Sequence, residues 1–244
     1  AGLPGAQRAP NPRSRPLAAH CTRRSLLLMP MLASPLTAHA AGKLVVDSSS
    51  RFALTIPSGF VASKRSATQG TLYVAGNFPR AAVVSVTAWP VGELLAADAA
   101  ALSLPGMPAV TPNTEALSAK SLSEIAPTEE LARILARQRD REQGGALNSE
   151  VLRCSLENGR LTVELSTELP VANPDELEKQ RGIRELIRRS VGVATFGEVP
   201  GKDGPVPAVV AAWASCLRED WDGDLGVPLR ESAESFQWGM QPAI

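Results

Sequence analysis

An α+β sandwich, an antiparallel β-sheet flanked by helices on both faces, is the architecture this sequence predicts. Two strand pairs point to the sheet: one folds back at Asn158-Gly159, the other through the Gly/Pro-rich 200–205 loop. Helix starts at Thr128 and Asn173 supply the cover. Strands joined by hairpins are antiparallel, and helices interspersed with them must pack on the sheet's faces.

The chain opens on an address. Thr22-Arg23-Arg24-Ser25 precedes the apolar Leu26-Leu27-Leu28 run, which ends at Ala38-His39-Ala40. A basic start, an apolar middle and a small-x-small exit describe a removable export signal, here cut after Ala40. The adjacent Arg23 and Arg24 indicate the twin-arginine route. A membrane anchor is the alternative, but the run is short and broken by Pro30 and Pro35. Upstream, Arg8, Arg13 and Arg15 lie among prolines and alanines with no acid, as in an organelle transit peptide. Together the two halves read as chloroplast import followed by delivery to the thylakoid lumen. A bacterial periplasmic protein with a long basic start is the competing reading.

Removing residues 1–40 changes the chemistry available. The chain has 25 Lys+Arg and 25 Asp+Glu, and the leader takes five arginines and no acid with it. Residues 41–244 therefore carry 20 bases against 25 acids, a formal charge of −5. That argues against nucleic acid as a partner. Both histidines, His20 and His39, lie in the leader, so Ser-His and Cys-His catalysis and His-held metals are excluded from the remainder. That remainder is long enough for one domain.

Its elements follow in order. Leu44–Val46 and the alternating Phe52, Leu54 and Ile56 predict short strands, the second ending at Pro57-Ser58-Gly59. Thr71–Ala75 and Ala82–Trp89 read as strands connected through Asn77, Pro79 and Arg80. The Ala/Leu-rich Val91–Leu104 reads as a helix, and Leu104–Asn113, with three prolines, as an irregular loop. Thr128 is read as the cap of a helix whose first turn holds Glu129 and Glu130, with Leu131, Ile134 and Leu135 as its apolar stripe and Gly144-Gly145 as its stop. Around Asn158-Gly159 the register pairs Glu157 with Arg160, Leu156 with Leu161, Cys154 with Val163 and Leu152 with Leu165, placing Cys154 toward the core.

Asn173-Pro174-Asp175-Glu176 starts a helix read as reaching Ser190, with Lys179, Arg181, Arg184, Arg188 and Arg189 toward its end. That basic run is either a solvated face or a docking surface for an acidic partner. Val191–Val199 and Val206–Leu217 form a strand pair, and the alternating small residues Val210, Ala212, Ala214 and Cys216 suit a central strand under a close helix. Leu229–Trp238 reads as a terminal amphipathic helix.

Three stretches resemble the PsbP-domain family of thylakoid lumen proteins: Phe52-x-x-x-Ile56-Pro57-x-Gly59-Phe60, Ala211-x-Trp213-Ala214-Ser215-Cys216-x-x-x-x-Trp221, and Leu229-Arg230-x-x-x-x-Ser235-Phe236. The resemblance spans most of residues 44–238 through short motifs. It implies a single domain over 41–244 with a helix-flanked antiparallel sheet, and 90–145, which matches least, as an irregular insertion. It also implies a non-enzymatic role in photosystem assembly, stability or oxygen evolution, with photosystem subunits on the lumenal side as partners. The family's best-known member, the extrinsic photosystem II subunit, uses histidines and a basic surface. Residues 41–244 have no histidine, so its ion-retention role is not carried over.

Candidate sites are few. Asp220, Asp222 and Asp224, with Glu231 at the twelfth position, have the oxygen spacing of a calcium loop. The glycine comes one place late, at Gly226, and a strand precedes, so an acidic solvated turn competes. Calcium is the one cofactor suggested. Cys154 and Cys216 could form a disulfide or remain two buried thiols, and without Cys-x-x-Cys spacing they make a weak redox pair. Glu164 and Glu168 are the carboxylates available to a glycosidase-like reading. Trp213, Trp221 and Trp238 read as packing residues, with ligand stacking as the alternative.

Overall fold

The computed structural model describes residues 42–47, 51–63, 70–103, 115–144 and 147–239. Arg23, Arg24, Ala38 and Ala40, and the 104–113 loop, lie outside them.

The described elements begin with strands β1 (Lys43–Val46), β2 (Phe52–Ile56) and β3 (Val61–Ala62). β4 (Thr71–Asn77) and β5 (Ala82–Pro90) follow, joined by a 3-10 turn at Phe78–Arg80. Helix α1 (Val91–Leu102), a 3-10 turn at Glu115–Ser118, and helices α2 (Leu122–Ile125) and α3 (Thr128–Glu142) come next. Strands β6 (Ser149–Glu157) and β7 (Arg160–Leu169), helix α4 (Pro174–Arg181), and strands β8 (Leu186–Gly201) and β9 (Gly204–Leu217) complete the main sheet. Helices α5 (Arg218–Trp221) and α6 (Gly226–Glu234) and strand β10 (Gln237–Trp238) end the described chain.

Seven strands form one sheet in the order β3-β4-β5-β9-β8-β7-β6, and every neighbouring pair is antiparallel. A smaller sheet runs β1-β2-β10, also antiparallel. The expected α+β sandwich is what forms, and β9 is the central strand. Its side chains alternate between two buried clusters. Val210, Ala212, Ala214 and Cys216 face one that includes β2, Trp221 and α6. Val209, Ala211 and Trp213 face the other, built with α1 and α3. Helices therefore cover both faces.

The turn residues explain the hairpins. Asn158 and Gly159 take φ of 51° and 74°, the pair of left-handed conformations that a type I′ turn requires. Glu157 pairs with Arg160, Leu156 with Leu161 and Cys154 with Val163, as expected. Leu152 does not pair with Leu165. Val151 does, Arg153 pairs with Glu164, and Leu152 is the extra residue of a bulge, 40% exposed. The Asp140 carboxylate accepts bonds from the Ser149 N–H (2.8 Å) and Oγ (2.6 Å), fixing the start of β6. The turn fixes the other end, so the spare residue is taken up between them.

Helix boundaries supply four further corrections. The Pro127 carbonyl accepts the Leu131 N–H at 2.9 Å, so Pro127 is the cap and Thr128 the first helical residue of α3. α4 begins as expected, with the Asn173 side chain accepting the Glu176 N–H, but it ends at Arg181 because Gly182 turns left-handed (φ 71°). Arg188 and Arg189 consequently lie on β8, a strand rich in β-branched residues, rather than on a helix. α6 stops at Glu234, and Trp238 instead pairs with Phe52 of β2.

The 90–145 stretch is also less irregular than expected. α1 buries Val91, Leu94 and Leu95, and α3 buries Leu131, Ile134 and Leu135, closing one face of the sheet. Arg137 of α3 joins them, reaching Asp98 of α1 at 2.7 and 3.0 Å and Glu130 at 2.9 Å. Asp98 is buried, and a charge there needs such a partner.

Candidate functional site

The residues singled out in the sequence do not converge on one site. Arg80, in the β4–β5 turn, takes the place a cation would need among the acidic residues of 220–224. Its guanidinium is bonded to the carboxylates of both Asp220 and Asp224, one of these bonds being 2.9 Å from Nη1 to Asp224. Asp220 lies within α5, and Asp222 follows as its cap. Among the described residues no group of three or more His, Cys, Asp or Glu is placed to hold a metal ion. Of the four residues read as a calcium loop, Asp220 and Asp224 are thus clamped by an arginine in an acidic turn, and Glu231 lies on α6. Hydrogen bonding to Arg80 holds the Asp224 carboxyl below its ordinary pKa.

Cys154 and Cys216 are both free thiols. β7 and β8 separate their strands, which at about 4.8 Å per strand sets them at least roughly 14 Å apart across the sheet. The register adds an offset of four residues, since Glu150 and not Cys154 lies level with Cys216. The two cysteines also pack against opposite faces. A disulfide requires Cα atoms within about 7 Å, so of the two readings the unbonded one stands. Burial pushes the Cys216 thiol up to about 12, the reverse of a redox-active cysteine.

Glu164 and Glu168 fare no better as a catalytic pair. They sit four residues apart on β7, roughly 13 Å along the strand. Glycosidase carboxylates stand about 5–9.5 Å apart. Glu164 is instead 3.6 Å from Arg230, which stacks on the Trp221 ring at 4.7 Å.

The basic run divides. Arg184 folds back onto Asp175 (2.7 Å) and Glu178 (2.9 Å) as an exposed ion pair. Arg188 turns inward. Its Nη1 donates to the Ser215 Oγ at 3.2 Å and to the Ala81 carbonyl at 3.3 Å. Arg139 of α3 donates to the same Ser215 oxygen at 3.4 Å and lies over the Trp213 ring, 4.7 Å from its centroid. Two guanidinium groups thus share one neutral oxygen, and neither has a carboxylate within ion-pair distance among the described residues. Burial, then the neighbouring Arg188, pushes Arg139 down to about 10, and burial lowers Arg188 as well. Ser190, directly across from Ser215 in the ladder, is 1% exposed. Its hydroxyl, the Arg188 Nε and the Trp213 Nε1 are buried without a protein partner.

The sequence reading missed this cluster because it assigned Arg188 to a helix. Gly182 as a stop, with β-branched residues recurring at period two beyond it, was the available signal. Trp213 is fully buried, Trp221 is core, and Trp238 packs at the edge of the core that holds Trp221, in line with the reading of all three as packing residues.

No family model matches the chain, and no curated protein matches it either. Among solved structures it is similar to the solution structure of cyanobacterial PsbP (CyanoP) from Synechocystis sp. PCC 6803, at 14% identity and a TM-score of 0.48, covering 86% of this chain and 100% of that one.

Proposed function

We propose that this chain is a PsbP-domain protein of the thylakoid lumen that works by binding rather than catalysis. It docks peripherally on lumenal subunits of a photosystem, the oxygen-evolving side of photosystem II first among them, and supports assembly, stability or oxygen evolution. The supporting observation concerns the residues that carry the sequence resemblance. Phe52, Ile56, Cys216, Trp221, Leu229 and Phe236 come from three motifs spread along the chain and belong to one buried cluster, while Ala211 and Trp213 of the second motif face the other. Chance matches scattered over an unrelated fold have no reason to share a core; residues that jointly specify one fold do. Peripheral association is compatible with the finding that no helix among the described residues is long and apolar enough to cross a membrane.

Solubilised thylakoids resolved on native gels test the reading. The protein is expected to migrate with a photosystem or an assembly subcomplex and to be released by a salt wash. Recovery only as a free monomer, or only outside the thylakoid, would overturn it.

A further inference from the structure

We propose that Arg139 and Arg188 form a binding site for a small tetrahedral oxyanion of the phosphate or sulfate class, with the Nε–Nη2 edge of Arg188 and the Ser190 hydroxyl among its donors. The site does not depend on the photosystem reading.

Donor capacity is the first ground. Arg188 places both of its bonds on Nη1, to Ser215 Oγ and Ala81 O. Its Nε is buried without a partner, while Nη2 is not among the buried unpartnered atoms and keeps access to solvent, the side from which a ligand would arrive. Nε and Nη2 form the side-on edge of a guanidinium, whose two parallel N–H groups match two oxygens of an oxyanion. A halide offers that edge a single acceptor atom, so the two N–H bonds must converge and bend, whereas two oxygens of an oxyanion let both stay straight.

Charge is the second ground. Two cations held on one hydroxyl repel each other, and a half-buried charge without a counter-ion in contact is unfavourable. The acids nearest Arg139 in sequence are engaged elsewhere. Asp140 is occupied by Ser149, and Glu142 accepts from the Trp89 Nε1 and from Gln138 at 3.1 Å. Both acids still act on Arg139 at a distance, opposing the effect of burial, but neither hydrogen-bonds it.

Preorganisation is the third. The Ser190 side chain, on the face of β8 that carries Arg188, is almost fully buried with its hydroxyl unpaired. Arg139 is braced by the Trp213 face, and Arg188 by one oxygen from the β4–β5 turn and one from β9. Donors fixed in this way lose little entropy when a ligand arrives.

The test follows the arginine Nε–Hε resonances of the 15N-labelled full chain during titration with sodium sulfate and sodium phosphate, against sodium chloride at matched ionic strength. A saturable shift of the Arg188 Nε–Hε signal with the oxyanions and not with chloride is expected. Arg188→Lys, which keeps the charge but loses the fork, should weaken binding at least about tenfold, Ser190→Ala should weaken it measurably, and the exposed control Arg184→Gln should leave it unchanged. Equal responses to sulfate and chloride in the parent protein would overturn the proposal, as would undiminished binding in Arg188→Lys. Because both cluster variants are conservative, misfolding does not decide the outcome, and the parent titration decides it alone if either fails to fold.

Discussion

Gly192→Ala should destabilise the protein by about 2 kcal/mol, although the same change in an open strand would stabilise it. Gly192 and Trp213 are Cα partners across β8 and β9. A Cβ added at Gly192 would meet Cζ3, Cε3 and Cη2 of the indole at 2.4, 2.5 and 2.7 Å. The ring is 1% exposed and has the Arg139 guanidinium over its face at 4.7 Å, so it has nowhere to retreat without abandoning that contact. Overpacking of this kind costs about 1–3 kcal/mol, and loosening a cation–π contact adds about 0.5–2 kcal/mol. Against this, alanine recovers about 0.5–1 kcal/mol by restricting the unfolded chain.

Urea unfolding with linear extrapolation reads the difference as a lowered midpoint at constant m. The mechanism has a sharper signature in the double variant with Trp213→Leu. The smaller side chain makes room, so the two costs should fall short of additivity by about 1 kcal/mol or more. A Gly192→Ala cost below about 0.5 kcal/mol, or strict additivity with Trp213→Leu, would refute the close approach of ring and strand.

Three further outcomes follow from the fold. Leu152→Ser should cost less than about 0.5 kcal/mol because the bulge leaves Leu152 exposed, whereas Leu165→Ala at a fully buried site should cost about 2–5 kcal/mol; comparable costs in urea titrations would restore the regular register. Asp224 has its folded pKa held below the ordinary 3.8, so its contribution is complete above that value and fades as the pH falls through the lower folded one. Arg80→Ala should therefore flatten the decline of Tm between neutral and strongly acidic pH, and an unaltered profile would remove Arg80 from that role. Thiol labelling of unreduced chain should modify the half-buried Cys154 in the native state and Cys216 only after denaturation, both as free thiols; a Cys154–Cys216 peptide cross-link would contradict the strand order.

What could be read from the sequence was local and what could not was relational. Asn158-Gly159 announces its turn because few other dipeptides accept two left-handed residues, and Asn173-Pro174 announces α4 through a cap that uses its own side chain. Leu152 was misplaced because the bulge arises from Asp140 gripping Ser149, a contact between a helix and a strand that no periodicity in β6 encodes. Cysteine faces were legible within each hairpin, but nothing in either hairpin says which side of the shared sheet the other will present. The calcium spacing failed for the same reason. Asp220 and Asp224 carry the right oxygens, while Arg80, 140 positions earlier than Asp220, arrives from another hairpin to take them.

The central strand joins these threads. One face of β9 carries Val210, Ala212, Ala214 and Cys216, small residues that let α6 approach and pack in one core with Phe52, Ile56, Leu229 and Phe236. That face is concerned with folding, and its thiol is suppressed by burial. The other face carries Val209, Ala211, Trp213 and then Ser215, and the last two change its character from apolar to polar. Trp213 is the platform for Arg139, and Ser215 is the oxygen on which Arg139 and Arg188 meet. A stability role alone does not account for that arrangement, since apolar residues of similar volume at 139 and 188 would avoid both desolvation and repulsion. Charge retained at such a cost is best explained by what it can attract, which makes this end of the sheet the place where the protein's binding chemistry is to be sought.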